Sequence, residues 1–237
     1  MNGCQCGSLW PTGSTFSTIA PKEPFVRRLM PGYALLLAAL AFSLWALPHL
    51  PARVTSHWDM AGQPDGTMGR TFAALFLPLL GAVLGAVFAF LPHTDPRKAG
   101  LLHGGIWWTL GNAVLIFLAA IQVAMLGYNL GWPISIAGVA LVGVGLLFVL
   151  LGFLMPRMQP NWFMGIRTPW TLTSDTVWRR THAFSGRVFA GAGAVLVVLG
   201  FLQPDHSVLI LGVVVAAAVA LPVVASYLLW RHERAEG

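Results

Sequence analysis

Apolar positions in this chain gather into six long runs, at about residues 33–50, 71–91, 105–126, 134–155, 188–202 and 208–230. None of the six contains Asp or Glu. Each approaches the roughly 20 residues that an α-helix needs to cross a hydrocarbon core, the fifth being the shortest. The pattern predicts an all-α integral membrane protein, a six-transmembrane-helix bundle. Three helical hairpins are expected, over residues 31–100, 101–155 and 188–237. Residues 1–30 are rich in Gly, Ser, Thr and Pro and are expected to form a disordered cytoplasmic tail. Met30 is a second candidate start, and no signal-peptide pattern precedes Lys22.

Two polar interruptions exceed what a connection between spans needs. The first, residues 51–70, reads PARVTSHWDMAGQPDGTMGR. Its Pro64-Asp65-Gly66 step is a tight-turn signal, because Pro presets φ and Gly admits a left-handed residue. A compact outer knob is expected, with Trp58 dipping into the headgroups. His57 and Asp59 lack a third ligand nearby, so hydrogen bonding within the knob is favoured over a metal site.

The second interruption, residues 156–187, holds five of the fourteen cationic side chains: Arg157, Arg167, Arg179, Arg180 and Arg187. It also holds Trp162, Trp170 and Trp178. Gly165 and the Thr168-Pro169 step mark irregular backbone. Thr173 or Ser174 can then cap a helix with Asp175 in its first turn. Val177, Thr181, Phe184 and Val188 recur at helical spacing. They predict a short amphipathic helix lying on the membrane and leading into the fifth span, with Trp170 and Trp178 as membrane anchors.

Composition sharpens this picture. Hydrophobic residues make up 57% of the chain and charged residues 9%, against about 25% charged in soluble domains. The formal net charge of +6 is spread between apolar runs and forms no single patch, which argues against nucleic acid as a direct partner. Placing the N-terminus inside leaves only Arg53 and Arg70 outside, as the positive-inside rule requires, so both termini are expected in the cytoplasm. Trp45, Trp58 and Trp132 then fall toward the outer interface, and Trp107, Trp108 and Trp230 toward the inner one. Gly81 with Gly85, and Gly212 with Ala216 and Ala220, are small-residue faces for helix packing. Pro222 is expected to kink the sixth span. Cys4 and Cys6 are too close in sequence for an ordinary structural disulfide and too few for a zinc site.

Catalysis in the membrane needs convergent acids, histidines or an activated nucleophile, and the spans offer none. The reading is therefore not an enzyme, with no cofactor and no metal. A small-molecule or ion transporter or channel is the alternative. Its deepest polar groups would be Asn112 and Gln122, which suit bonding between helices better than an ion path.

The run from Asn161 to His182 resembles the signature loop of the SdpI-type family of bacterial immunity membrane proteins. The matching positions are Asn161, Gly165, Arg167, Thr168, Trp170, Thr171, Leu172, Ser174, Trp178, Thr181 and His182. The first polar segment is similar to the same family at Pro51, Val54, His57, Trp58, Gly62, Pro64, Asp65, Gly66 and Gly69, and departs from it at Thr55 and Thr67. The resemblance implies a bacterial cytoplasmic membrane protein that gives immunity to a secreted amphipathic toxin peptide, signals by recruiting a cytosolic repressor, or does both. On that reading His57, Trp58, Asp59, Pro64, Asp65 and Gly66 would meet the toxin outside. Asn161, Gly165, Arg167, Thr168, Trp170, Trp178, Arg179, Arg180 and His182 would form the inner partner-binding loop. Arg167 is the best candidate for a bidentate contact with an acidic partner.

Overall fold

The computed structural model describes residues 25–59, 62–203 and 206–236. Helix α1 (Phe25–Arg28) leads into α2 (Met30–Ala46), followed by the strands β1 (Arg53–Trp58) and β2 (Pro64–Gly69). Then come α3 (Arg70–Phe90), α4 (Lys98–Leu101), α5 (Ile106–Asn129), α6 (Ile136–Leu154), α7 (Pro169–Thr173), α8 (Asp175–Leu202) and α9 (Ser207–Glu236). Helices α2, α3, α5, α6, α8 and α9 are long and apolar enough to cross a membrane, which makes this a multi-pass membrane protein. The β-hairpin lies at one end of the bundle and the long loop between α6 and α8 at the other.

The helices pack as two groups of three, α2 with α3 and α5, and α6 with α8 and α9. Lipid tails are as apolar as leucine, so helices in a membrane need more than apolar side chains to associate. The first group uses side-chain amides. Gly32 N–H sits in the first turn of α2, where no intrahelical acceptor exists, and donates to Asn112 Oδ1 at 2.8 Å. Asn112 Nδ2 donates to the Arg28 and Trp108 carbonyls, both at 2.8 Å. Deeper in, Pro78 lacks the N–H that would have bonded the Ala74 carbonyl. Gln122 Nε2 supplies the donor instead, reaching the Ala73 and Ala74 carbonyls at 3.1 Å and Ser43 Oγ at 2.8 Å. The expectation that Asn112 and Gln122 bond between helices is met. Gly81 and Gly85 also serve this group, since a Cβ on either would collide with Leu36 or Tyr33 of α2.

The second group uses glycine. Gly138, Gly145 and Gly152 on α6 stand seven residues apart, as do Gly186, Gly193 and Gly200 on antiparallel α8. A Cβ on Gly193 would lie 2.5 Å from the Gly145 carbonyl oxygen, and one on Gly200 would lie 3.0 Å from that of Gly138. A Cβ on Gly186 would lie 2.8 Å from the Gly152 carbonyl oxygen. Three glycine pairs therefore let two backbones touch along most of the helix length.

Several expectations need correction. The chain is already helical from Phe25, and Leu29 is fully buried against the loop end of the bundle, so the ordered region begins before residue 31. The expectations for residues 1–24, Cys4 and Cys6 among them, lie outside the described residues. The amphipathic segment is not a separate helix on the membrane. Ser174 Oγ accepts the Val177 N–H at 3.2 Å and starts α8, which runs unbroken into the fifth span. Trp107 and Trp108 are buried core residues, not interfacial anchors, and Trp107 Nε1 donates to the Phe88 carbonyl at 2.8 Å. Gly212, Ala216 and Ala220 of the sixth span are exposed and stay unused within the bundle, with nothing within 4 Å of a Cβ built on Gly212, while Ala218 is the small residue buried there.

Candidate functional site

The long loop folds as a lid across the end of the bundle. Asn161 organises its first turn. Its Oδ1 accepts the Phe163 and Met164 N–H groups at 2.9 and 2.7 Å, and its Nδ2 donates to the Gln159 and Met164 carbonyls. Asp95, in the α3–α4 link, accepts the Trp162 N–H at 3.3 Å and the Arg97 N–H at 2.7 Å, tying the lid to the first helix group. Met155, Met158 and Met164 join Leu29, Leu101, Trp107 and Trp108 in a single buried cluster beneath it.

At the centre of the lid lies His182, 1% exposed. Its Nε2 accepts the Ile166 N–H at 3.1 Å, so Nδ1 holds the proton and donates to the Trp178 carbonyl at 2.8 Å. The Trp178 ring stacks on the imidazole at 4.1 Å and is itself fully buried, with Nε1 donating to the Met158 carbonyl at 2.9 Å. Gly165 adopts φ 108°, and a Cβ there would run into His182 Nε2. Only glycine meets both demands.

Next, Thr168 and Thr171 form a reciprocal capping box that starts α7 at Pro169, and Thr171 Oγ1 donates to the Ile166 carbonyl at 2.8 Å. Trp170 Nε1 donates to Ser226 Oγ on α9 at 2.6 Å, and its ring meets Tyr227 edge-on at 5.4 Å. Ser174 Oγ donates to Glu233 Oε1 at 3.0 Å. The lid is thus pinned to both helix groups.

Asn161, Gly165, Thr168, Trp170, Trp178 and His182 are therefore brought together, but they face the protein. Trp178 anchors nothing to lipid. Arg167, Arg179 and Arg180 point outward, with Arg179 reaching Thr176 Oγ1 at 3.4 Å. Beside them Trp162, Phe163 and Leu172 are exposed, an apolar fringe that a reading of charge and motif passes over.

At the opposite end, the expected knob is a β-hairpin, with Asp59 and Gln63 paired where its two strands end. Asp59 Oδ1 accepts the Gln63 N–H at 2.8 Å. Pro64, Asp65 and Gly66 sit in β2 instead, because antiparallel register sets Trp58 against Pro64 and His57 against Gly66. Gly66 serves there as space: a Cβ would lie 2.8 Å from His57 Cβ. His57 Nδ1 pairs with Asp65 Oδ1 at 2.5 Å across the strands. Trp58 is half-buried and packs edge-on against Tyr128 at 5.5 Å. Asn129 docks the hairpin on α5, its Oδ1 accepting the Thr55 N–H at 2.7 Å and its Nδ2 donating to the Thr55 carbonyl at 2.9 Å.

Among the described residues no three His, Cys, Asp or Glu side chains gather into a group that could hold a metal. The fold and site define a multi-pass membrane protein with a folded loop at each end of its bundle. Residues 157–226 match the model of the SdpI/YfhL protein family, and residues 34–82 match the Domain of unknown function (DUF1648). The chain is also similar to Immunity protein SdpI of Bacillus subtilis (strain 168), 26% identical over 196 residues that cover 82% of this chain and 92% of the relative. No solved structure matches this chain.

Proposed function

We propose that this protein confers immunity to a membrane-active toxin peptide from within a bacterial cytoplasmic membrane, and that it acts by binding, not as an enzyme. The observation that carries this is the extent of the similarity to Immunity protein SdpI, which takes in hairpin, lid and spans together. In this reading both termini and the lid face the cytoplasm, because Arg53 and Arg70 are then the only cations left outside. The hairpin, docked rigidly on α5, offers the peptide a preformed surface at His57, Trp58, Asp59, Pro64, Asp65 and Gly66. The lid offers a cytosolic partner, a repressor in the signalling form of this reading, the guanidinium groups of Arg167, Arg179 and Arg180. Asn161, Gly165, Thr168, Trp170, Trp178 and His182 hold that surface in shape.

Arg167 is exposed and has no hydrogen bond or ion pair to any described residue, which suits a side chain kept for a partner. The test is expression in a toxin-sensitive bacterium, with membrane potential and survival followed during challenge with membrane-active peptides. Protection by the wild type is expected. Arg167→Ala, at equal membrane abundance, should weaken signalling or protection. Absence of protection against every peptide, with the protein verified in the membrane, would overturn the immunity reading.

A further inference from the structure

Helices α8 and α9 leave a groove between their ends on the lid side, with a volume of about 580 Å³. Arg180, Ala183, Phe184 and Arg187 line one wall, and Ala225, Leu228, Leu229 and His232 the other. Each wall follows the i, i+3, i+4, i+7 spacing of a single helix face. Because α8 and α9 run antiparallel, Arg180 and His232 mark the mouth, while Arg187 and Ala225 lie further in. At 1.5 Å per residue, Arg187 stands about 10 Å deeper along α8 than Arg180.

Arg187 is the observation that asks for an explanation. It faces the groove and not the bundle, it is exposed, and neither it nor Arg180 has an acidic partner among the described residues. A guanidinium at that depth, against Phe184 and the leucines of α9, is costly unless an anion meets it. The apolar floor lets the arginine stems lie flat while their heads turn toward the lid-side membrane surface. Basic pockets between spans on the lipid-facing surface suit a phosphate that carries its own acyl chain.

We propose that this groove binds one anionic glycerophospholipid, its phosphodiester held between Arg180 and Arg187 and an acyl chain laid along Phe184, Leu228 and Leu229. The site shares Arg180 with the partner surface proposed above but lies apart from Arg167 and the hairpin, and lipid retention, not protection, is what tests it. Occupied, it would brace α9 against α8 at the same end where Trp170 and Ser174 reach Ser226 and Glu233.

The full-length protein, reconstituted in nanodiscs of phosphatidylcholine with phosphatidylglycerol, would be released and examined by native mass spectrometry for lipid retained on the monomer. Retention of phosphatidylglycerol over phosphatidylcholine is expected. The preference should fall roughly fivefold for Arg180→Gln or Arg187→Gln and roughly 25-fold for the double variant. Arg97→Gln, which removes the same charge from the other helix group, should leave it unchanged. Equal retention of the two lipids would overturn the proposal, as would an equal fall in Arg97→Gln. Displacement of the lipid by inorganic phosphate alone would also overturn it, since the groove would then be reading phosphate without its chain.

Discussion

The two helix groups solve one problem in opposite ways. In α2, α3 and α5 the backbones are kept apart and bridged, with Asn112 and Gln122 supplying donors and acceptors where Gly32, Arg28 and Pro78 leave backbone groups unmet. In α6 and α8 no described side chain bridges by a hydrogen bond; the backbones themselves meet at Gly138, Gly145, Gly152, Gly186, Gly193 and Gly200. A bridge tolerates small shifts, because an amide side chain can rotate to follow its partner. Direct backbone contact does not, because there is no flexible atom to yield. The SdpI/YfhL match covers the lid, α8 and much of α9, and so takes in one helix of the stiffer pair, on whose ends the lid is built. That stiffness suits the partner surface proposed above for Arg167, Arg179 and Arg180.

The largest expected effect follows from this contrast. Gly193→Leu should separate α6 from α8, costing about 3 kcal/mol or more, at the upper end for overpacking because the obstacle is the Gly145 carbonyl. Fluorescence-detected size-exclusion chromatography after a heat ramp would show the loss of the monodisperse peak. Gly212→Leu, with nothing within 4 Å of its Cβ, should melt like the wild type. Equal tolerance of both would mean that α6 and α8 do not rely on backbone contact.

The lid comes second. Gly165→Ala combines a positive φ with a collision against His182, and should cost about 2–3 kcal/mol. Limited proteolysis would detect it as faster cleavage within residues 156–174, while the hairpin and α2 remain protected. Cleavage that speeds up at both ends of the bundle would show that lid and hairpin are coupled, and the division into two groups would weaken.

Third is Gln122→Leu, expected to cost about 1–2 kcal/mol by stranding the Ala74 carbonyl, which Pro78 leaves without a helical donor. Restoring the missing N–H with Pro78→Ala lets the helix satisfy Ala74 by itself. The cost of Gln122→Leu should therefore fall by about half in that background, measured as a double-mutant cycle on thermal melting. Strict additivity would show that Gln122 is not there for the proline.

Much of this architecture is legible in the sequence. Six apolar runs are enough to find six spans, because a membrane imposes length and hydropathy on each span separately. The two polar interruptions mark both folded loops. Direction is harder. Trp178 and Phe184 lie close together in a basic, aromatic stretch, yet one is fully buried and the other exposed, since helix α8 turns one toward Met158 and the other toward lipid. Glycine at every seventh position is visible on both α6 and α8, but spacing alone does not say which two helices meet. The Pro64-Asp65-Gly66 step misleads for a related reason. A local turn signal competes with strand register, and here register wins because Val54 must be buried and Gly66 must make room for His57.

The smallest effect tests whether the hairpin belongs to the bridged group. Asn129 treats Thr55 as a neighbouring strand would, taking its N–H and giving to its carbonyl, so α5 extends the hairpin by one residue's worth of ladder. Asn129→Ala should loosen that dock by about 1 kcal/mol, the usual net value of a hydrogen bond. Hydrogen–deuterium exchange of peptides covering Arg53–Trp58 should then quicken roughly fivefold, with α6 and α8 unchanged. His57→Ala supplies the contrast. Its contact with Asp65 is exposed on both sides, and exposed pairs contribute little, so exchange in the same peptides should stay close to wild type. If Asn129→Ala is silent as well, the hairpin is seated by burial of Val54 and the Trp58–Tyr128 contact, and side-chain bridging stops at the helices.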